Sequence, residues 1–307
     1  MDHRETRATR DHEIAMSSGP SAPVAPLRDR LLAGLPVTDR RMQVTGLQTA
    51  VVEGGSGPPL LLLHGPGEHG LKWLRVIPDL VRTHRVVAPD LPGHGASEPL
   101  AREMEGESVL DWLDALIDST CPQAPALVGQ TLGGAIAGRF TARRPHRVSR
   151  LVLVDSLGLT TFQPSADFGE ALSGFLSAPG EVTHERLWRL CAFDLDALAE
   201  SLGARWPLLK AYNLQLARTP ALRSTQQILM QRFGMEAIPA AELERIAVPV
   251  TLIWGRHDLA TPLPVAEAAG ALRRWPVHVI EKAADDPPLE QPEAFLEALR
   301  AALGDPL

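Results

Sequence analysis

The sequence predicts an α/β protein with a mostly parallel sheet covered by helices on both faces. Three observations point there. From Met42 onward, short apolar runs of strand length alternate with stretches of helical spacing. A tight turn bounded by Gly129 and Gly133 joins one such strand to one such helix. The stretch 156–247 carries apolar residues at helical spacing and no convincing buried strand, which reads as an insertion between strands.

Each element follows in chain order. Residues 1–35, rich in charge, Ser and Pro, are expected to form a flexible tail, with a helix over 27–35 as the alternative. An opening hairpin is expected over 42–44 and 49–53. Buried strands follow at 60–63 and 84–88, with a helix over 73–81 between them. Val109, Trp112, Leu113 and Leu116 mark a helix over 107–119. Then come a strand at 124–128, a helix at 132–143 and a strand at 148–154. Leu187, Leu190 and Cys191, and further on Leu222, Leu229 and Phe233, give the insertion a helical character. Strands at 250–254 and 277–280 and a helix at 290–303 close the chain. The expected organisation is a core of 36–156 and 247–307 with a helical cap at 157–246.

Composition narrows the chemistry. A net charge of -7 argues against a broad surface for nucleic acid or anionic membrane. No apolar run is long enough to span a bilayer, and the N-terminus lacks the apolar core of a signal peptide. Two cysteines, Cys121 and Cys191, suit a reducing cytoplasm. No cofactor and no metal is called for. Of 30 basic residues only Lys72, Lys210 and Lys282 are lysines, and Tyr212 is the single tyrosine. Mechanisms that need a tyrosine acid or a lysine Schiff base therefore have few candidates.

The strongest motif is Leu127-Val128-Gly129-Gln130-Thr131-Leu132-Gly133-Gly134, which has the shape of a nucleophile elbow. Small residues there allow a sharp turn, and the helix behind it aims free N–H groups and its positive dipole end at the site. Around it, in order, stand Leu63-His64-Gly65-Pro66-Gly67, Pro89-Asp90-Leu91-Pro92-Gly93-His94-Gly95, Trp254-Gly255-Arg256-His257-Asp258 and Pro287-Pro288-Leu289-Glu290-Gln291-Pro292. Together these resemble the α/β-hydrolase superfamily, in its capped branch of C–C hydrolases, epoxide hydrolases and esterases, over about 42–303. The resemblance implies an eight-stranded, mostly parallel sheet flanked by helices, with an inserted helical cap.

Carried over residue by residue, the family's machinery departs in three places. The elbow position, usually Ser, is Thr131, a β-branched residue in backbone space it tolerates poorly; the alternative is that Thr131 merely fills volume. The imidazole position, two residues before the Pro287-x-x-Glu290-x-Pro292 pattern, is Asp285. The first oxyanion amide would belong to Pro66, which has none, leaving Gly67 to take over, while the second, Leu132, is intact. Asp258 matches the triad acid. Asp285 beside Asp258 would raise the pKa of one carboxyl; the alternative is that Asp285 turns into solvent. Gln130, Glu68 and His69 complete the polar surroundings, Glu68 more as a helix cap than as a catalytic group. Phe162 and Trp188 are candidate substrate contacts in an apolar roof, or else cap core.

These readings imply a repurposed enzyme acting on an apolar small metabolite by acid/base or shape-driven chemistry: cyclisation, isomerisation, elimination or ring opening. One alternative is a non-catalytic relative that binds a small ligand or partner. Another is an esterase or C–C hydrolase using Thr131. An exposed cap leaves room for a homodimer.

Overall fold

The computed structural model describes residues 24–99 and 106–304. It opens with α1, Val24–Leu32. Leu27, Leu31 and Leu35, spaced four apart, are all buried. The tail expected over 1–35 is thereby corrected: residues 24–35 fold onto the body of the protein. A nine-residue helix is marginal alone, and tertiary packing of its apolar stripe stabilises it. Residues 1–23 lie outside the described part.

β1 (Thr38–Val44) and β2 (Leu47–Gly54) form an antiparallel hairpin. Its two-residue turn, Thr45-Gly46, has positive φ at both positions (49° and 83°), the geometry whose twist matches paired strands. β3 (Pro59–Leu63) follows. The single helix expected over 73–81 is instead a 3₁₀ helix, Gly70–Arg75, and a short α2, Ile77–Leu80. Pro78 sits in the first turn of α2, where its missing N–H is no loss. β4 (Arg85–Pro89), α3 (Gly106–Thr120), β5 (Ala126–Gln130), α4 (Leu132–Arg143) and β6 (Arg150–Val154) complete the first part.

Between β6 and β7 the described residues form helices and no strand. These are α5 (Ala166–Ser177), α6 (Glu181–Cys191), α7 (Leu195–Leu202), α8 (Arg205–Ala217), α9 (Pro220–Leu229) with a π turn after it, and α10 (Ala240–Leu243). Local signals set their ends. Ser165 and Asp194 accept hydrogen bonds from the amides of Phe168 and Ala197, capping α5 and α7. β7 (Val250–Gly255), α11 (Pro264–Arg273), β8 (Val277–Ile280), α12 (Pro287–Glu290) and α13 (Pro292–Leu303) finish the chain.

The eight strands lie in the order β1-β2-β4-β3-β5-β6-β7-β8, antiparallel at β1/β2 and β2/β4 and parallel from β4 to β8. Alternate side chains divide between two apolar layers. Leu60, Leu62, Val152 and Val154 face α1, α13 and the insert helices α7 and α8. Leu61, Leu63, Leu151 and Leu153 face α3, α4 and α11. The chain leaves β3 for β4 on one side and returns to β5 on the other. Loops at the carboxyl ends of β3 and β5 therefore diverge there and open a cleft. Among the described residues, no helix is long and apolar enough to cross a membrane.

Candidate active site

At the end of β5 the chain turns sharply into α4. Thr131 takes φ 43°, ψ -110°, held by its amide bonding the Val154 carbonyl at 3.0 Å and by its own carbonyl, which accepts from Leu157 and Ala135 at 3.1 Å. A β-branched residue there stores about 1–3 kcal/mol of strain, the kind of cost that persists at functional positions. The glycines explain the approach. A Cβ on Gly129 would lie 2.4 Å from the Gly133 carbonyl oxygen, and one on Gly133 would lie 2.5 Å from that of Leu63. Leu132 opens α4, so its N–H is one of those the helix leaves without an internal partner. Thr131 is 7 % exposed, and its Oγ1 has no hydrogen-bond partner.

The turn after β3 faces it: a Cβ on Gly65 would lie 2.3 Å from Thr131 Oγ1 and 2.7 Å from Glu68 Oε2. His64 is structural. Its Nε2 accepts from the Leu91 amide at 2.9 Å, which leaves Nδ1–H to donate to the Gly65 carbonyl at 2.7 Å. Pro66 has no amide proton, and the Gly65 amide donates to Glu68 Oε2 at 2.8 Å. The amide of Gly67, at φ 74°, is the one left uncommitted in this turn. Glu68, expected as a helix cap, instead ties this turn to Lys72.

Asp258 lies after β7, 3 % exposed. One oxygen accepts from the amides of Ala260 and Thr261 at 2.7 and 3.0 Å, and the other meets the Thr261 hydroxyl. Burial outweighs these bonds and pushes its carboxyl up to about 6. Thr261 Oγ1 also lies 3.0 Å from the Asp155 carbonyl oxygen. One hydroxyl hydrogen cannot serve both, so when it goes to the carbonyl, Asp258 brings a proton of its own. Asp155, at the end of β6, has φ 42°; one oxygen accepts from the Gly255 amide at 2.8 Å and the other has no partner.

Asp285, in the loop after β8, is half-buried, which removes the expectation that it turns into solvent. Its amide donates to the Cys191 carbonyl of α6 at 3.1 Å, which brings its carboxyl near enough to the Cys191 thiol to push that thiol up. Burial, then the charge of Asp258, hold its carboxyl well above the ordinary range, against the pull of Lys72. Gln130, 0 % exposed, donates to the Asp285 carbonyl at 2.7 Å. Glu290 of the Pro-x-x-Glu-x-Pro pattern accepts from the amides of Ala284 and Phe193, pinning this loop to the insert, and burial pushes it up to about 7.

Lys72 is the group the sequence left unassigned. Lys282, the lysine nearest in sequence to the altered position, is exposed, whereas Lys72 is 4 % exposed. It pairs with Glu68 and lies 3.0 Å from Asp286. Burial opposes its charge, but Asp286 and Glu68 outweigh that and keep the ammonium charged. The four-residue spacing of Glu68 and Lys72 was the one signal available; the partner at 286 was not legible. Among the described residues, no grouping of three or more His, Cys, Asp or Glu side chains fits a metal ion.

The two roof candidates part company. Phe162 joins Phe168, Leu187 and Ala260 in an apolar cluster that links the insert to the Asp258 turn. Trp188, for which cap core was the alternative to a substrate contact, stacks on the buried His184 at 5.5 Å and packs edge-on against Trp206 at 5.2 Å within the insert.

Comparison with known proteins places this geometry in context. The profile of the alpha/beta hydrolase fold matches residues 58–290. Pimeloyl-(acyl-carrier protein) methyl ester esterase of Aeromonas hydrophila subsp. hydrophila is 28% identical over 84% of this chain and 100% of that protein. The 2-hydroxymuconate semialdehyde hydrolase of Pseudomonas sp. strain CF600 is 29% identical over 80% of this chain and 86% of its own. Among solved structures, 2-hydroxy-6-oxo-6-phenylhexa-2,4-dienoate hydrolase from Rhodococcus sp. strain RHA1 superposes with a TM-score of 0.76 at 24% identity, over 87% of this chain and 99% of that one, and so shares its fold.

Proposed function

The chain belongs to the α/β-hydrolase fold family, and within it we propose an enzyme that acts on an apolar small molecule by proton transfer from a carboxylic acid rather than through an ester on Thr131. The observation that carries this reading is Asp285, a half-buried carboxyl where an imidazole is expected, facing the charge of Asp258. A carboxyl kept neutral is a proton donor near pH 7, while an ionised one is a poor base for an alcohol. The unpartnered hydroxyl of Thr131 supports the same reading, since no base touches it. So does the turn at Pro66, whose neighbouring Gly65 amide is committed to Glu68; losing one oxyanion donor costs acyl transfer about 10²–10³ in rate. The cluster at Phe162 and Phe168 supplies an apolar wall. Cyclisation, isomerisation, elimination and ring opening are the reactions such a site suits. The free thiols of Cys121 and Cys191 suit a reducing compartment such as the cytoplasm.

The competing reading takes Thr131 as a nucleophile, in line with the esterase and hydrolase names of the relatives. Mass analysis after treatment with a fluorophosphonate separates the two. No adduct on Thr131 and no turnover of activated esters above background are expected; labelling of Thr131 overturns the proposal. The pair Thr131→Ser with Asp285→His is expected to gain ester hydrolysis. A binding protein without turnover is the second reading, favoured by the low exposure of Thr131 and Asp258. A surface depression of about 430 Å³ lies elsewhere, at Leu35, Thr38 and Arg85.

A further inference from the structure

We infer that the acid cluster beside Thr131 is a binding site for an organic cation, an apolar molecule carrying one protonated amine. This rests on the proposed use of the same cleft and names its substrate class.

Hydrogen-bonding capacity comes first. Four buried oxygens around this cluster have no partner: Gln130 Oε1, Thr131 Oγ1, Asp155 Oδ2 and Asp286 Oδ1. They come from the carboxyl ends of β5 and β6 and from the loop after β8, so several separate parts of the fold converge with the same deficit. The Gln130 amide is aimed into the cluster, since its Nε2 bonds the Asp285 carbonyl while its Oε1 is left over. The Gln130 oxygen can only accept, the two carboxylate oxygens accept whenever their groups are ionised, and the Thr131 hydroxyl can also accept. A buried acceptor without a donor costs about 1–3 kcal/mol, so the cluster favours whatever brings N–H groups.

Charge points the same way. Lys72 faces Glu68, Asp286 and Asp285 and is already committed to the first two, while Asp258 acts on both Asp285 and Asp155 and brings no further cation. Asp285 faces Asp258 after β7, Lys72 and Glu68 from the turn after β3, Asp286 beside it and the Cys191 thiol from α6. The carboxyls can be neutralised by protons or by an added cation. An ammonium group brings both the missing charge and the missing donors, whereas an alcohol brings only one donor and a carboxylate deepens the deficit. The apolar cluster of Phe162, Phe168, Leu187 and Ala260 then accommodates the hydrocarbon part of the molecule. Binding exchanges a carboxyl proton for the ammonium ion, with no bond broken in the ligand. Affinity therefore rises with pH while the amine stays protonated.

The test uses the full chain and three matched probes, hexylamine, hexanol and hexanoate, in titration calorimetry and thermal melts at about pH 7.5. Hexylamine is expected to bind and raise Tm, with hexanol weaker by about tenfold and hexanoate without effect. Calorimetry in buffers of different ionisation enthalpy is expected to show proton release on amine binding. Asp285→Asn is expected to lose the preference for amine over alcohol by about tenfold; Lys282→Met, on an exposed neighbour, keeps it. Equal binding of hexanol and hexylamine, or an unchanged preference in a folded Asp285→Asn, overturns the inference. Phosphonate labelling tests the proposed function separately: a labelled Thr131 defeats that reading even when amine binds, and an unlabelled Thr131 without amine preference defeats only this one.

Discussion

Two buried ionic clusters in this molecule are built with opposite hydrogen-bond balance. In the first, Arg28 of α1 is 1 % exposed and grips Asp39 of β1 through two bonds of 2.9 and 2.8 Å. It also bonds Asp90 after β4 at 2.8 Å and Tyr212 of α8 at 3.4 Å. Asp90 accepts in addition from the amides of Gly70 and Ala96, at 2.6 and 2.7 Å. Burial opposes the guanidinium charge, but Asp90 and Asp39 outweigh it. No buried polar atom of these four side chains lacks a partner. In the second cluster, Lys72 faces more carboxyls than it can neutralise, and several oxygens have no donor. The difference teaches which cluster is structural. The satisfied network ties α1, the sheet and the insert together, and the unsatisfied one, at the elbow, is where the proposed ligand would supply the missing donors.

The sharpest way to break the comparison is Arg28→Met. It leaves the buried Asp90 without a cation and Asp39 with only Arg41, and chemical denaturation is expected to show a loss of about 3–5 kcal/mol. Lys72→Met is expected to cost less and to depend on pH, because burial already raises Glu68 and Asp286, which take up protons more readily once the ammonium is gone. The loss grows as pH rises and those carboxyls ionise, up to about 3 kcal/mol. Equal and pH-independent costs for the two variants would mean that the clusters do not differ in kind.

Smaller effects sharpen the picture at the site. Thr131→Gly relieves the positive φ and is expected to stabilise the fold by about 1–2 kcal/mol, read as a rise in Tm. A loss of stability there would mean that the Thr131 side chain packs more than it strains. Asp285→Asn acts through pH. Burial and the charge of Asp258 raise Asp285 and Asp155, and burial alone raises Asp258 from 3.8 to about 6. Between those values the folded chain holds more protons than the unfolded one, so their contribution is fully present at low pH and is lost as pH rises through 6. Asn at 285 is expected to flatten that decline and to add on the order of 1 kcal/mol at pH 8, measured by melts across pH. A steeper decline would refute the assignment.

Much of this was legible in residue order. Gly129 and Gly133 flank the elbow because backbone approaches there exclude a Cβ, and close steric rules of that kind act locally. Asp258 and Asp285 were placed by motifs at the ends of strands, where topology puts loops. Arg28 was hidden in a stretch whose charge, Ser and Pro read as a tail. Its apolar stripe at 27, 31 and 35 was visible, but nothing local said what would cover it. Trp188 looked like a roof contact because aromatic residues at helical spacing do not declare which face they turn inward.

The sequence by itself determined most of the strands and the sharp turn at Thr131, since periodicity and glycine sterics are properties of neighbouring residues. Only the tertiary structure decided that Lys72 meets Asp286 across 214 positions, that Asp285 faces Asp258 and Cys191 rather than water, and that Arg28 joins three elements. Burial and the charge of distant neighbours set those states, and both arise when the chain is folded.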